Sequence, residues 1–256
     1  MTIFAFANQK GGVGKTTTAV TLADGLARLK RRTLLVDLDP QGHVALSFGL
    51  EKSPGLYRLI CLEEPLSAVV QTVRPNLDLV PGDKQTEKVK RQITLADFRE
   101  TILSDLLTST DYEAVLLDMA PSLDVLHLNG LIAADWVIIP TRLDALAVDG
   151  VKEILTTMAE ITRNGHQYRG YSILPTFFDR TTRETLLQFE EITRVFGSNV
   201  WPPVPQDTRV RETAAYGQTL WEYSPDSSSV AGFTEGNQHL GGYRQVLGKL
   251  LEVLDG

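Results

Sequence analysis

The chain holds a single cysteine, Cys61, among its 256 residues. One thiol closes no internal disulfide and builds no metal cluster alone, and in its apolar stretch Cys61 reads as a small buried side chain rather than a reactive group. Long apolar runs are missing too, so no segment reaches the length needed to span a bilayer. Met1-Thr2 leads directly into an apolar strand pattern, which leaves no room for a signal peptide and points to a cytoplasmic protein. Positive charge is in deficit: 25 Lys and Arg stand against 32 Asp and Glu, for a net charge of −7. That balance argues against a uniformly basic nucleic-acid binder while leaving room for a local basic patch. What remains is 43% hydrophobic and 22% charged, enough to bury a substantial core in one α/β domain.

Ile3-Phe4-Ala5-Phe6-Ala7 has the length of a buried strand, and Thr18-Ala19-Val20 with Leu22-Ala23 continues at helical spacing. Between them lies Gln9-Lys10-Gly11-Gly12-Val13-Gly14-Lys15-Thr16-Thr17. A glycine loop between strand and helix can wrap a polyphosphate: its backbone approaches closely, its N–H groups point inward, and the helix presents its positive end. In such a loop Lys15 reaches the β- and γ-phosphates and the Thr16 hydroxyl binds Mg²⁺. Gln9 stands where the strict phosphate-loop pattern has glycine, and Lys10 follows it. A second ammonium at the loop mouth is repelled by the first unless anionic phosphate neutralises it, so Lys10 points to a ligand.

The stretch from Lys10 to Thr17 resembles the deviant Walker A motif, K-G-G-x-G-K-T-T, of the ParA/MinD family of ATPases. The resemblance implies ATP and Mg²⁺ as ligands and places Gly11, Gly12, Val13, Gly14, Lys15, Thr16 and Thr17 in the nucleotide cradle. It also implies that Lys10 reaches across a homodimer to the partner subunit's nucleotide. Thr33-Leu34-Leu35-Val36 reads as a second buried strand that delivers Asp37-Leu38-Asp39-Pro40-Gln41-Gly42 at its carboxyl end, the ligand edge of a parallel sheet. A carboxylate there can orient water and sense a γ-phosphate, while Pro40 and Gly42 shape a turn able to switch. The segment is similar to the family's D-x-D-P-Q-G motif, which implies that Asp39 acts on the attacking water and at the metal; a plain turn cap is the alternative. His43, where the family often has asparagine, reads as an exposed loop residue without chemistry. Tyr112 to Asp118 is an apolar strand ending in a carboxylate, the Walker B arrangement that supports Mg²⁺. The family continues D-x-P-P-S, whereas this chain has Asp118-Met119-Ala120-Pro121-Ser122, one proline fewer, which bears on the stiffness of the switch.

Elsewhere the first helix ends in Arg28, Lys30, Arg31 and Arg32, which read as a solvated helix end complementing the dipole. Residues 47–66 suggest short helical pieces, and Leu77 to Val80 a strand. Lys84, Lys88, Lys90 and Arg91 form a solvated face before a helical pattern through Phe98, Ile102, Leu103, Leu106 and Leu107. Trp136 to Thr141 reads as a strand, and Leu146 to Gly150 resembles the segment that enters the dimer interface in the family. Tyr171 to Arg180 resembles the strand and loop near the adenine. Val204-Pro205-Gln206-Asp207-Thr208-Arg209-Val210-Arg211-Glu212 resembles the I-P-x-d-x-x-v-r-E-A segment, which implies Pro205 in the nucleotide site. Ser224 to Gly242 reads as a long surface loop. In the final helix Arg244 and Lys249 are offset by Glu252 and Asp255, so its apolar face is expected in the core, without stable membrane binding.

Alternating strands and helices predict a doubly wound, mostly parallel α/β sheet flanked by helices. The resemblance makes it a P-loop NTPase with a deviant Walker A loop, with residues 1–256 one domain lacking an amino-terminal helix-turn-helix. It implies a ParA-type ATPase that binds nonspecific DNA as an ATP dimer, associates with the nucleoid, and is stimulated by a ParB-like or other adaptor protein to segregate or position cargo. Arg180, Arg183, Arg209 and Arg211 are candidates for DNA phosphates, although Asp179, Glu184, Asp207 and Glu212 are interleaved and an ordinary surface position is the alternative for each. A MinD-like membrane-associated positioning ATPase is the second reading, and a metabolic P-loop enzyme such as a dethiobiotin synthetase a weaker one. A reductase like the nitrogenase iron protein needs two cluster cysteines per subunit, which Cys61 alone cannot supply.

Overall fold

A computed structural model describes residues 1–97, 99–108, 110–235 and 238–256. The chain opens β1 (Thr2–Phe6), α1 (Lys15–Arg28), β2 (Thr33–Asp37), α2 (His43–Ser47), α3 (Gly55–Cys61), α4 (Leu66–Val69), β3 (Gln71–Arg74), β4 (Leu77–Val80), α5 (Thr86–Leu95) and α6 (Ile102–Leu107). It continues β5 (Ala114–Asp118), α7 (Val125–Ala133), β6 (Trp136–Arg142), α8 (Ala147–Arg163), β7 (Gly170–Thr176) and α9 (Arg183–Phe196). The last part holds α10 (Arg209–Tyr216), α11 (Leu220–Tyr223), α12 (Ser228–Ala231), the hairpin β8 (Phe233–Glu235) and β9 (Gln238–Leu240), and α13 (Gly242–Asp255).

Seven strands form one sheet in the order β3-β4-β2-β5-β1-β6-β7, all parallel except β3 at the edge. The inner strands β1, β2 and β5 are buried at every position, as parallel strands covered on both faces must be, and so they read as unbroken apolar runs. Period-two alternation splits them between two cores. Phe4, Phe6, Leu35 and Leu116 pack with Leu22 and Leu26 of α1 and with Val246 and Leu250 of α13. Ile3, Ala5, Leu34, Val36, Val115 and Leu117 pack with Leu126 of α7 and Val151 and Ile154 of α8. From β1 the chain moves to β2, later fills the gap with β5, and then passes to β6 and β7 on the opposite side. Strand order therefore reverses beside β1, and the loops after β1, β2 and β5 part there to leave a crevice.

The doubly wound, mostly parallel architecture agrees with the sequence reading, and α13 lies in the core as expected. Three local expectations change. The edge strand β3 was not legible, because Gln71-Thr72-Val73-Arg74 has no apolar run and only Val73 is buried. Residues 224–242 are not a surface loop: Ser227, Ser229 and Val230 are buried, the Ser227 and Ser229 hydroxyls lie 3.0 Å apart, and α12 and the β8–β9 hairpin fill the segment. Its small residues serve close packing, since a Cβ on Gly232 would lie 2.5 Å from the Gly241 and Leu240 carbonyls. The basic end of α1 is also tied down, with Arg31 paired to Glu113 and Asp255 at 2.8 Å each and Arg28 to Asp24 at 3.0 Å. Phe98, expected in a helical pattern, lies outside the described residues. Among those described, no helix is long and apolar enough to cross a membrane.

Candidate functional site

The loop between β1 and α1 is shaped by its glycines. Gly12 and Gly14 adopt left-handed backbone, with φ of 72° and 89°, which side chains resist. No atom lies within 4 Å of where a Cβ on Gly11 or Gly12 would stand, so the backbone there faces open space. Asn8 folds the start of the loop: its side-chain amide donates to the Pro140 carbonyl at 2.8 Å, and its Oδ1 accepts from the Lys10 N–H at 2.9 Å. Lys15 curls back over the loop, its ammonium donating to the carbonyls of Asn8 at 2.9 Å and Lys10 at 3.1 Å. Burial pulls this ammonium below the usual lysine range, with Asp118 and Asp39 pushing the other way.

Three acids meet the loop from the ends of β2 and β5. Asp37 and Asp118 are register neighbours on adjacent strands, both almost wholly buried. Asp37 accepts from the Asp39 N–H at 3.0 Å and the Val44 N–H at 3.2 Å, pinning both ends of the turn through Pro40 and Gly42. Burial, with the Asp118 charge beside it, raises the Asp37 carboxyl well above the ordinary range. Asp118 rises to about 7, chiefly by burial; the Thr16 hydroxyl bonded to it and the nearby Lys15 oppose the rise, while Asp39 adds to it. Its Oδ1 is buried without a hydrogen-bond partner. An orphaned carboxylate oxygen beside the Thr16 hydroxyl and close to Asp39 is an all-oxygen donor set, which suits a hard divalent cation such as Mg²⁺.

These residues open on a cavity of about 610 Å³, within the size range of sites for small-molecule ligands. Gly11, Gly12, Gly14, Lys15, Thr16, Thr17 and Asp39 line one side, and Pro205 and Arg211 are on its wall as well. Val13 is buried in the protein and holds the loop through its carbonyl, which accepts from the Thr176 hydroxyl at 2.9 Å. Lys10 is not part of the cavity wall. Its half-exposed ammonium pairs with Asp144, in the loop after β6. The four arginines are dispersed: Arg180 lies over the Phe233 ring at 4.9 Å, Arg183 opens α9, and Arg209 sits 4.0 Å from Asp207, while Arg211 faces the cavity. His43 is exposed, as read, and also borders the cavity.

Sequence reasoning passed over Asn8 and Arg142, gave Asp37 no role of its own, and held Phe177 only as part of the segment that resembles the strand and loop near the adenine. Asp37 carried a signal, an acid at the end of a fully apolar strand, but the motif drew notice to Asp39 two residues on. Arg142 and Phe177 line the cavity from β6 and from the loop after β7, and only the fold brings Arg142 there. His127 of α7 is likewise silent in sequence; its buried ring has no hydrogen-bond partner at either nitrogen, and burial lowers its pKa to about 4.

A family model described as an AAA domain matches residues 1–168. The chain is 38% identical over 225 residues to the chromosome-partitioning ATPase Soj of Thermus thermophilus, covering 87% of this chain and 88% of that protein. Cobyrinic acid a,c-diamide synthase from Mycobacterium smegmatis, solved with a bound ATP analog and magnesium, is 28% identical, with a TM-score of 0.73 over 85% of this chain and 93% of its own. Apo McdA from Cyanothece shares the fold at 20% identity, with a TM-score of 0.80 over 88% of this chain and 94% of that one. With its phosphate-loop geometry and this extent of similarity, the chain belongs to the ParA/MinD family of partition ATPases.

Proposed function

We propose that this chain hydrolyses ATP as a nucleotide-dependent dimer switch, binds nonspecific DNA in the ATP state, and is stimulated by an adaptor protein to segregate or position DNA or another cargo. The observation that carries the reading is the different placement of two lysines on one loop. Lys15 is buried over the phosphate cradle and lines the cavity, whereas Lys10 is half-exposed, lies off the cavity wall and pairs with Asp144. An ammonium outside its own cavity is in position to serve the nucleotide of a second copy.

In this reading the amides of Gly11, Gly12, Val13 and Gly14 cradle the phosphates, with Lys15, Thr16 and Thr17 completing the cradle and Pro205 flanking the nucleotide. Thr16, Asp39 and Asp118 would hold Mg²⁺, which would supply positive charge to offset that of the phosphates. Asp39 orients the attacking water; phosphoryl transfer asks little covalent chemistry of a protein, so positioning of that water sets the rate. The ATP analog and magnesium in the Mycobacterium synthase support both ligands, and the Thermus partition ATPase supports the role in segregation. Residues 1–256 act as one ATPase domain that meets DNA through surface arginines, with Arg180, Arg183 and Arg209 the outward candidates. Arg211 borders the nucleotide cavity and reports on both ligands.

The test is binding to nonspecific duplex DNA over a salt series, with ATP, ADP or no nucleotide, for the native protein and Lys10→Ala. The reading expects binding that needs ATP, weakens with salt, and disappears in the variant. ATP-dependent dimers that ignore DNA would overturn the DNA arm and leave the nucleotide switch.

A further inference from the structure

The end of β6 carries a cation that the reading above leaves unused. Arg142 ends β6 and lines the cavity together with Gly11, Gly12 and Lys15. Among the described residues it forms no ion pair; its contact is with an aromatic ring, the guanidinium carbon lying 5.3 Å from the centroid of Phe177. An unpaired guanidinium on the wall of a cavity built for anions is a feature the fold does not require.

Phe177 is placed for this contact by an unusual backbone. Its φ is 54°, a left-handed conformation that a bulky residue adopts only where its neighbours hold it there. Both sides are held: the Thr176 hydroxyl donates to the Val13 carbonyl at 2.9 Å, and the Phe178 N–H donates to the Val204 carbonyl at 3.0 Å. The Gln206 N–H closes the same segment by donating to the Phe178 carbonyl at 3.0 Å. The Phe177 ring consequently stands beside the phosphate loop, with its Cε2 only 3.8 Å from where a Cβ on Gly14 would be. Strain of this kind concentrates at ligand clamps.

Stacking engages the flat face of a guanidinium and leaves the N–H fork at its edge free, and it removes much of the side chain's rotamer freedom before any ligand arrives. We infer that Arg142, preorganised on Phe177, is an additional phosphate-binding residue that acts in cis, presenting its fork to the polyphosphate of the nucleotide bound by its own chain. This assignment rests on the proposal that the cavity binds ATP. It is separate from Lys10, which that proposal directs to a second copy.

The test is calorimetric titration of ATP with Mg²⁺ into the native chain, Arg142→Gln, Arg142→Lys and Phe177→Leu, each also in a Lys10→Ala background that removes the cross-dimer lysine. Lys15→Ala serves as the control that should abolish binding. Arg142→Gln is expected to weaken ATP about tenfold in both backgrounds and to flatten the salt dependence of binding, the scale of losing hydrogen bonds to a charged group. Arg142→Lys should recover only part of the loss, since an ammonium lacks the planar fork, and Phe177→Leu should weaken ATP by roughly threefold through loss of the platform. ATP binding within twofold of native in Arg142→Gln would overturn the assignment while leaving the nucleotide reading intact. A loss seen only with Lys10 present would make the contact a dimer one and overturn action in cis. A native chain that binds no ATP would overturn the reading and the assignment together.

Discussion

Asp118→Asn is expected to stabilise the nucleotide-free protein at pH 8 even though it removes a residue that the proposed chemistry needs. The Asp118 carboxyl is 1% exposed, its Oδ1 lacks a partner, and its register neighbour Asp37 is another buried acid. Burial raises its pKa from 3.8 to about 7. An acid whose native pKa lies above its unfolded value supports the fold while both states are protonated, and that support is lost as pH rises from the unfolded toward the native value. At about 1.36 kcal/mol per pH unit, the window from 3.8 to about 7 corresponds to a native-state cost of up to roughly 4 kcal/mol once pH exceeds 7. The asparagine variant keeps the shape of the protonated acid and carries no such cost. For a chain of this size 1 kcal/mol moves Tm by about 2–4 °C, so the variant should melt on the order of 10 °C higher at pH 8, with the difference closing toward pH 4. Thermal melts of both proteins from pH 4.5 to 8.5 without nucleotide measure this directly. A Tm difference that does not change with pH, or a variant less stable at pH 8, would refute the electrostatic account of the buried acids.

Two further changes test other parts of the structure. The His127 ring is buried and neutral, with its pKa lowered from 6.5 to about 4, so it supports the fold above pH 6.5 and that support drains away as pH falls toward 4. His127→Leu should lower the Tm change between pH 7 and pH 4.5 relative to the native chain, by an amount equivalent to roughly 3 kcal/mol at most; identical acid profiles would show that this ring is not a source of acid sensitivity. Gly217→Ala should cost about 2 kcal/mol or more, because the new Cβ would fall 2.8 Å from the Gly49 nitrogen, closer still to its Cα, and φ there is 61°. Urea unfolding reads that loss, and an unchanged midpoint would mean that the two backbones do not pack as described.

How much was legible follows from where each constraint acts. The inner strands and the glycine loop announce themselves because burial on both faces gives unbroken apolar runs, and because a phosphate cradle fixes residue type at fixed spacing. The buried acid at the end of β5 is legible for a similar reason: Asp118 closes an apolar run. By contrast, β3 is an edge strand whose pairing with β4 supplies what Gln71-Thr72-Val73-Arg74 lacks in pattern. The serine- and glycine-rich segment misleads because composition cannot separate small residues chosen for solvation from small residues chosen for close backbone contact, as at Gly232 and Gly241. Arg142 and Phe177 lie 35 positions apart and become neighbours only when β6 and β7 pair.

The site's electrostatics and its packing point the same way. Asp118 and Asp39 both act on the buried ammonium of Lys15, and burial holds the carboxyls of Asp118 and its register neighbour Asp37 above the ordinary range, favouring their protonated forms where water is scarce. In the proposed function a divalent cation would favour the ionised form of Asp118 and offset the charge of a triphosphate, so nucleotide and metal would bind with mutual support. The turn that carries Asp39 is pinned at both ends by Asp37, through the amides of Asp39 and Val44. Val44 belongs to α2; α2 packs on α10, and the two ends meet at Gly49 and Gly217. At that junction backbone rests on backbone without interlocking side chains, the kind of contact that permits small sliding between packed helices. The helix on its far side carries Arg211 on the cavity wall and Arg209 beside Asp207. In the proposed function, a displacement of the Asp39 turn would reach the arginine-bearing helix through this packed route.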